Sequence, residues 1–300
     1  MDYKKITFNC EVITPMFMYG ADRQTPELRP SEFKGIMRFW WRAIKAEDDI
    51  KKLWEEEAKI FGAADEKIGK SKVKVVIYPL EYKIGRFRPL PHHSGDRYCK
   101  FLPSCKSKVD PHKCAKGFLT PCILPSSKFR ISLTTYTEKI EEIKTTFLLS
   151  TILGGFGKRA RRGFGSIKVN KIDYSLEMLL ELLNKINPLY EIDNIFINGK
   201  KIKAIVNKQG GGGYPWIKTI LLGCSTSKWE DLLKKIGETT HTYKDPALGF
   251  SGKNERLASP IYVTVIDTSK GFSLLITLLN TASNFKLNCR QQEKFIGALL

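Results

Sequence analysis

A twelve-residue stretch near the middle of the chain, GGFGKRARRGFG at 154–165, interleaves five glycines with four cations. Its positive charge comes from Lys158, Arg159, Arg161 and Arg162, and it contains no acidic residue. Such cations repel one another unless an anion lies between them, while glycine lets another chain come close to the backbone. The stretch therefore predicts a cradle in which a ribose-phosphate strand approaches the backbone and the cations neutralise it.

A second set of cations lies on the predicted helix SEFKGIMRFWWRAIK, which starts at Ser31. Helical spacing places Lys34, Arg38, Trp41 and Arg42 on the face opposite the apolar stripe. A guanidinium group can bind a phosphate with two N–H donors, and an exposed indole can stack on an unpaired base for about 1–3 kcal/mol. We therefore expect this face to contact RNA; the alternative is a solvated basic face with Trp41 under a neighbouring loop.

Nucleotide-binding motifs do not account for these cations. A Walker A loop needs Ser or Thr after its lysine, but Lys158 is followed by Arg159. The stretch ADEKIGKS ends in Gly-Lys-Ser, as a Walker A loop does, but it has Ala64 in place of the first glycine. The glycine stretch also precedes a predicted strand, so no helix N-terminus is available for a phosphate. What remains is a cradle for an extended strand.

The overall charge supports a polyanionic partner. The 300 residues include 50 Lys and Arg against 31 Asp and Glu, a net charge of +19, and 42% are hydrophobic. A folded chain this basic favours nucleic acid first and an acidic membrane surface second. The alternative, the lysine-rich surface of a heat-adapted protein, is normally matched by glutamate. No apolar run reaches the roughly 18 residues of a membrane span, and the start resembles no signal peptide, so we expect a cytoplasmic protein.

The first half of the chain predicts the order strand, helix, strand, strand, helix, strand. These elements start near Ile6, Ser31, Lys72, Lys128, Glu138 and Ser166. The order is that of a ferredoxin-like (RRM-like, βαββαβ) domain, here assigned to residues 1–173. Two segments interrupt it: a helix around Ile50–Phe61 and an insertion at about 83–127. Ser31 is the predicted N-cap of the first long helix.

The second half, residues 174–300, is less regular. We predict a helix from Ser175, a hairpin turning at Asn198–Gly199, a flexible break at 210–213, a helix from Lys228 and a hairpin within 259–279. These elements predict a second, degenerate ferredoxin-like domain. The predicted fold class is therefore α+β, with tandem ferredoxin-like domains.

Three stretches together resemble the RAMP superfamily of CRISPR proteins. They are ITPMFMYGAD…ELRPSEFKGIMRFWWRA near the start, GGFGKRARRGFGS, and RLASPIYV from Arg256. Within that superfamily they look most like the first-subunit family of Cmr (type III-B) effector complexes, which act in antiviral defence.

The resemblance implies tandem ferredoxin-like domains and a subunit without known catalysis. Such a subunit holds RNA near the 3′ end of the guide RNA, where guide pairs with target RNA, beside other Cmr complex subunits. On matching positions, the resemblance implies RNA contacts from Lys34, Arg38, Arg42, the loop arginines and Arg256.

The insertion contains a group of zinc-ligand side chains. Its members are His92, His93, Cys99, Cys105, His112, Cys114 and Cys122. Structural zinc needs four such ligands, and we predict Cys99, Cys105, Cys114 and His93. The alternatives are reduced thiols or a disulfide, because no C-x-x-C pair is present. The expected function itself requires no cofactor.

Two other functions are consistent with these residues. A ribonuclease could use Asp22, in the loop after the first strand, with His241 or His93 as a proton carrier; however, an aspartate in a turn more often shapes the turn. An assembly protein could direct the basic surface at an acidic subunit, and its RNA binding would be weak and insensitive to salt. We favour the non-catalytic RNA-binding subunit, with Asp22 as the runner-up catalytic residue.

Overall fold

The computed structural model describes residues 2–91, 119–170, 172–196, 199–204, 213–251, 256–269, 271–280 and 288–300. The predicted zinc ligands Cys99, Cys105, Cys114 and His93 lie outside these residues. The described residues include two larger antiparallel sheets, one of four strands and one of five.

The first half forms a four-stranded antiparallel sheet with helices on one face. Its elements are β1 (Tyr3–Val12), α1 (Pro30–Lys45), α2 (Ile50–Phe61), β2 (Lys74–Glu81), β3 (Ile84–Phe87), β4 (Thr120–Ile123), β5 (Lys128–Tyr136), α3 (Ile140–Leu153) and β6 (Ile167–Val169). The strand order is β2-β5-β1-β6, and β3 and β4 pair separately as a hairpin. The predicted sequence of strands and helices in this half is confirmed, with β1 and β5 in the centre.

The second half forms a five-stranded antiparallel sheet. Its elements are α4 (Leu176–Ile186), β7 (Tyr190–Phe196), β8 (Gly199–Ala204), β9 (Ile217–Thr226), α5 (Trp229–Thr242), β10 (Phe250–Ser251), β11 (Arg256–Leu257), β12 (Ile261–Thr268), β13 (Gly271–Leu279) and α6 (Cys289–Gly297). The strand order is β12-β13-β9-β8-β7, and β10 pairs with β11 alone. Both predicted helices and both predicted hairpins are present.

The structure differs from the predicted elements at several points. Helix α1 begins at Pro30, so Ser31 is not its N-cap. Proline suits the first helical position because its fixed φ is helical and that position needs no N–H partner. Helix α6 and strands β3, β4, β9, β10 and β11 were not predicted from the sequence. Strand β9 is central and partly buried on both faces, so its apolar residues do not alternate with polar ones.

One apolar core joins the two sheets. It combines Trp40 of α1, Phe147 of α3 and Ile131 of β5 with Tyr262 of β12 and Leu275 of β13. The predicted boundary near residue 173 therefore separates the strands of the two sheets but divides a shared core.

Hydrogen bonds also cross between the halves. The Thr264 hydroxyl donates to the Leu153 carbonyl at 3.1 Å, and the Val265 N–H donates to the Ser166 hydroxyl at 3.1 Å. These bonds hold β12 beside the segment that links α3 to β6. Within the described residues, no helix has the length and apolarity to cross a membrane.

Candidate nucleic-acid interface

The glycine loop, Gly154–Gly165, connects α3 to β6 and is hydrogen-bonded to the segment that follows β1. The Lys158 N–H donates to the Phe17 carbonyl at 2.9 Å, and the Gly165 N–H donates to the Pro15 carbonyl at 3.0 Å. Within the loop, the Phe156 N–H donates to the Gly165 carbonyl at 2.9 Å. The loop is therefore a fixed part of the fold.

The glycines serve this internal packing. A Cβ atom at Gly165 would lie 1.9 Å from the Phe156 carbonyl oxygen, and one at Gly155 would lie 2.1 Å from the Phe164 carbonyl oxygen. Both contacts are too short for any side chain, so the two arms of the loop can approach only because these residues are glycines. The expectation that the glycines make room for an RNA strand is wrong for these two. Phe156 and Phe164 are buried and anchor the loop in the core.

Two of the four loop cations point outward. Lys158 and Arg159 are exposed. The Lys158 ammonium lies 4.6 Å from the centroid of the Tyr19 ring, a distance at which the ring face attracts a cation. The Tyr19 ring thus holds Lys158 at the surface, and Arg159 is exposed beside it although partial burial of its guanidinium lowers its pKa.

Arg162 points inward instead. Its Nη1 atom lies 3.4 Å from the Ser259 hydroxyl and 3.3 Å from the Ile261 carbonyl oxygen, and it donates to both. Burial, with the neighbouring charges of Arg159 and Arg161, lowers the pKa of Arg162 to about 10. Arg162 remains charged at neutral pH and braces the loop against β12. Arg162 thus helps to pack the loop, and because only its Nη1 atom is bonded to the second sheet, its contact with RNA stays a prediction.

Arg161 and Arg42 bring the two predicted sets of cations together. Arg161 lies 4.6 Å from the centroid of the Tyr262 ring, and Arg42 lies 4.4 Å from that of Tyr214. Arg161 also acts electrostatically on Tyr214, whose pKa is raised by burial and lowered in part by both arginines. We call these four residues the arginine–tyrosine cluster. It lies where α1, the glycine loop and the second sheet meet.

Glu57 of α2 holds the two arginines of α1. Its side chain is 1% exposed and accepts a hydrogen bond from Arg38 Nε and one from Arg42 Nη1, the latter at 2.8 Å. A guanidinium has five N–H donors, so one bond to Glu57 leaves others to face outward. The arginine side chains are 36% and 27% exposed. Glu57 thus orients two guanidinium groups at the surface.

Glu57 was not predicted as a functional residue, although the sequence carries a signal for it. Glu57 lies four residues after Leu53 and four before Phe61, both of which are buried. A carboxylate on the apolar face of a helix requires a cationic partner, and α1 offers Arg38 and Arg42. A search for partners across helices would have found the pair.

The prediction that Trp41 offers a stacking surface is wrong. Trp41 is 1% exposed, and its indole N–H donates to Glu142 Oε1 of α3 at 2.9 Å. Its ring also meets the edge of Phe61 of α2. The face of α1 opposite the apolar stripe is therefore partly covered by α2 and α3, which is the alternative the sequence left open.

Lys34 and Arg256 remain compatible with a basic surface. Lys34 is half-buried on α1, and its pKa is lowered by burial and by the charge of Arg38. Arg256 is exposed and pairs with Ser251 in the β10–β11 hairpin. Ser259, three residues further along, contacts Arg162, so this hairpin lies beside the glycine loop.

Asp22 shapes a turn. It accepts hydrogen bonds from the Gln24 and Thr25 N–H groups, both at 2.9 Å, and from the Thr25 hydroxyl. These bonds lower the pKa of Asp22, the Thr25 hydroxyl contributing most. His241, the described histidine candidate, is half-buried near the end of α5. Among the described residues no group of three or more His, Cys, Asp and Glu side chains is arranged to hold a metal ion.

The first half of the chain matches a known protein family. The sequence model of the RAMP superfamily matches residues 9–168. Two curated proteins of Pyrococcus furiosus are similar over longer stretches. CRISPR system Cmr subunit Cmr1-2 is 36% identical over 188 residues, which cover 58% of this chain and 97% of that protein. Cmr subunit Cmr1-1 is 30% identical over 258 residues, covering 79% of this chain and 71% of that protein.

Solved structures resemble the chain over nearly its whole length. The crystal structure of Cmr1 from Pyrococcus furiosus, in its apo form, aligns with a TM-score of 0.61 at 19% identity, covering 99% of this chain and 97% of that one. A chain of the type III-B Cmr-beta complex bound to cognate target RNA aligns with a TM-score of 0.53 at 13% identity, covering 98% of each chain. At such identities the likeness establishes the fold, a mixed α/β arrangement with antiparallel sheets. On the strength of the matched sequence, this chain belongs to the RAMP superfamily, in which it is similar to Cmr1 subunits.

Proposed function

We propose that this chain is a non-catalytic RNA-binding subunit of a type III-B CRISPR effector complex. In this role it binds the 3′ region of the guide RNA, the target RNA or both, in contact with other Cmr subunits in the cytoplasm. The names of its relatives and the target RNA in one of the similar structures support the assignment. The observation that carries it is the arginine–tyrosine cluster, where the cations of α1 and of the glycine loop converge.

The charge of this surface favours a polyanion. Glu57 offsets only one of the two charges of Arg38 and Arg42, and Arg161 adds another beside them. Positive charges held together at a partly buried surface raise the local concentration of phosphate groups. We define the RNA groove as Lys34, Arg38, Arg42, Lys158, Arg159, Arg161 and Arg256.

Binding at this groove has low sequence preference. Ammonium and guanidinium groups on this surface are suited to phosphate oxygens, which carry no sequence information. Because Trp41 is buried, stacking on that indole does not add to the binding. Such a surface suits a subunit whose guide and target RNAs differ from one complex to the next.

The hydrogen bonds of the Asp22 turn argue against Asp22 as a catalytic group. Its carboxylate is engaged by the turn and its lowered pKa makes it a weak base at neutral pH. A ribonuclease that uses Asp22 remains the runner-up, and it predicts metal-dependent cleavage that Asp22→Ala abolishes.

We further propose that both halves are ferredoxin-like, the second in degenerate form. In the second sheet, β9, α5, β12 and β13 follow the strand, helix, strand, strand order, and their sheet order is β12-β13-β9. The first sheet has the same partial order, β2-β5-β1. The position beside β1 that β6 occupies in the first sheet corresponds to the position of β8 beside β9 in the second, where β7 forms the edge beyond it.

Structural zinc in the insertion stays a prediction, and it is separate from RNA binding. Elemental analysis of the purified chain tests it: about one zinc per chain, lost when Cys105 and Cys114 are replaced by Ser, is the expected result. Metal content unaffected by these replacements contradicts the prediction.

The RNA groove is tested with a variant that removes three of its seven cations and leaves no buried carboxylate unpaired. We suggest Arg38→Gln, Arg42→Gln, Arg161→Gln and Glu57→Gln together, which lower the net charge by two. The matched control, Lys51→Gln with Lys59→Gln, also lowers it by two, and both lysines are exposed on α2.

The assay is titration of labelled single-stranded RNA at several salt concentrations. Each phosphate neutralised in a single strand contributes about 0.7 to the log–log salt slope, so three lost contacts lower it by about 2. The control variant is expected to keep the wild-type slope. Equal binding by both variants refutes the groove, and weak binding that does not respond to salt favours the assembly protein. RNA that is cut in the presence of manganese, but not by Asp22→Ala, favours the ribonuclease.

A further inference from the structure

One face of the first sheet is left open by the described helices. Helices α1 and α3 pack on the face that carries Phe129, Ile131 and Leu133, all of which are buried. Side chains alternate along a strand, so the neighbours of these residues point to the opposite face. Exposed residues on that face include Lys5 and Asn9 of β1 and Arg130 of β5.

The strand register arranges this face in rows that cross β1, β5 and β2. The outer two rows are Lys5–Thr134–Lys74 and Asn9–Arg130–Tyr78, and the row between them is Thr7–Ser132–Val76. Directly paired residues lie about 5 Å apart, and successive rows on one face lie about 7 Å apart. We call these nine residues the open sheet face.

The open sheet face is basic. Lys5, Lys74 and Arg130 are exposed, and within the described residues none of them forms an ion pair. Arg130 donates from Nε to Asn9 Oδ1 at 3.3 Å, which directs it along the sheet. The nearest acidic side chains on this side, Glu11 and Glu81, lie one row further and are already paired with lysines. The three cations therefore face solvent without neutralisation.

Aromatic side chains flank these cations. Tyr78 is 46% exposed in the row of Arg130. At the other end Tyr3, 65% exposed, is paired across the strands with Tyr136, and the two rings stack at 4.8 Å. An exposed tyrosine ring can stack with an unpaired base of any sequence.

The middle row consists of two short polar side chains and Val76. The hydroxyl groups of Thr7 and Ser132 are hydrogen-bonded at 3.0 Å, and both side chains are short. Thr7 is exposed and Ser132 is buried, so the Thr7 hydroxyl is the accessible polar group between two rows that bear cations and, on one side, an aromatic ring. A hydroxyl suits the ribose 2′-OH, which can both donate and accept.

We infer that the open sheet face is a second binding surface for single-stranded RNA, separate from the RNA groove. Phosphates lie against Lys5, Lys74 and Arg130, and bases stack on Tyr78 and, at the far end, on Tyr3. A four-stranded sheet that combines exposed aromatic rings with cations is a general mode of single-stranded RNA recognition. The inference rests on the proposed function in that the ligand is RNA. The two surfaces lie on opposite sides of the first sheet, because α1 packs on its covered face.

The test is a variant of the open sheet face alone, Lys5→Gln, Lys74→Gln and Arg130→Gln with Tyr78→Leu. The leucine keeps an apolar side chain on the strand but cannot stack as a ring does. Lys51→Gln, Lys59→Gln and Lys67→Gln form the matched control, since all three lysines are exposed and none belongs to either surface. Circular dichroism verifies that the variants are folded.

The open-sheet-face variant, its control and the groove variant are titrated with oligouridylates of about 8 and about 30 nucleotides. The longer RNA is able to reach both surfaces. We expect the open-sheet-face variant to bind the longer RNA about tenfold more weakly, with a salt slope lower by about 2. Crosslinking with 4-thiouridine is expected to label peptides that contain Tyr3 or Tyr78, including in the groove variant.

Unchanged affinity and slope, with no crosslink to either tyrosine peptide, overturn the inference. If the groove variant still loses binding in that case, the proposed function survives alone; if neither variant loses binding, both fail. Polyglutamate serves as a competitor. Loss of polyglutamate binding without loss of RNA binding in the open-sheet-face variant assigns the face to an acidic protein and also overturns the inference.

Discussion

Replacement of Glu57 by Gln should destabilise the chain more than any comparable change on α2. The substitution keeps the size and shape of the side chain but removes the buried negative charge that holds Arg38 and Arg42. Two guanidinium groups would then lie side by side without a counter-charge. The structure therefore predicts a loss of stability caused by charge rather than by packing.

The magnitude depends on burial and exposure. A hydrogen bond to a charged group contributes about 1.5–3 kcal/mol, and removing one partner of a buried ion pair costs about 3–5 kcal/mol. The carboxylate is buried, but the arginine side chains are 36% and 27% exposed, so water recovers part of the loss. We expect the free energy of unfolding to fall by about 2–3 kcal/mol. The melting temperature should fall by about 5 °C.

Glu56 offers a matched control one residue away. Its side chain is 36% exposed, and its carboxylate lies 3.7 Å from the Lys45 ammonium. Exposed ion pairs contribute about 0–1 kcal/mol, so Glu56→Gln should lower the unfolding free energy by less than about 1 kcal/mol.

The measurement is urea denaturation of the wild type and both variants, because urea is uncharged and does not screen the ion pairs as a salt does. Arg42→Gln, measured alone and combined with Glu57→Gln, completes a double-mutant cycle, and the pair should show a coupling energy of about 1 kcal/mol or more. Equal losses for Glu57→Gln and Glu56→Gln, or a coupling near zero, would refute the view that Glu57 holds the arginines.

Substitutions in the glycine loop, in α1 and in the Asp22 turn test three other contacts. Gly165→Ala should lower the unfolding free energy by more than about 2 kcal/mol, because φ is +67° and the new Cβ would strike a carbonyl oxygen. Gly35→Ala, in open space on α1, should raise the unfolding free energy by about 0.5–1 kcal/mol. Chemical denaturation distinguishes the two outcomes. Trp41→Phe should lower the unfolding free energy by about 1–2 kcal/mol, because the hydrogen bond from the indole to Glu142 is lost. RNA affinity measured by titration should not change. Weaker RNA binding would show that the indole does reach RNA. Because folding lowers the pKa of Asp22, its carboxylate stabilises the fold at pH values above the unfolded-state pKa, and this contribution should disappear as pH falls through the folded-state pKa. Asp22→Asn should abolish that part of the pH dependence of the unfolding midpoint. Identical pH profiles for the wild type and Asp22→Asn would contradict this prediction.

The sequence alone was sufficient for the order of most elements. The periodicity of apolar residues located β1 and α1, because one face of each is more buried than the other. Helix α3 and strands β12 and β13 are buried on nearly all sides, and the glycines that end α3 and the apolar runs of the two strands marked these elements instead. Charge and glycine content marked the two stretches that meet at the arginine–tyrosine cluster. Strand β9 was missed because its apolar residues do not alternate with polar ones: Ile220 and Leu221 are both buried although they point to opposite faces of this central strand.

The roles of individual side chains depended on the tertiary structure. Helical periodicity told which residues of α1 share a face, but it could not tell that α2 and α3 cover part of the outer face and bury Trp41. It also could not pair Arg38 with Glu57, nineteen residues away, or direct Arg162 to the carbonyl group of Ile261. The physical reason is that local sequence determines backbone conformation and amphipathicity. The neighbour that a cation or an indole meets depends on how separate elements pack in three dimensions.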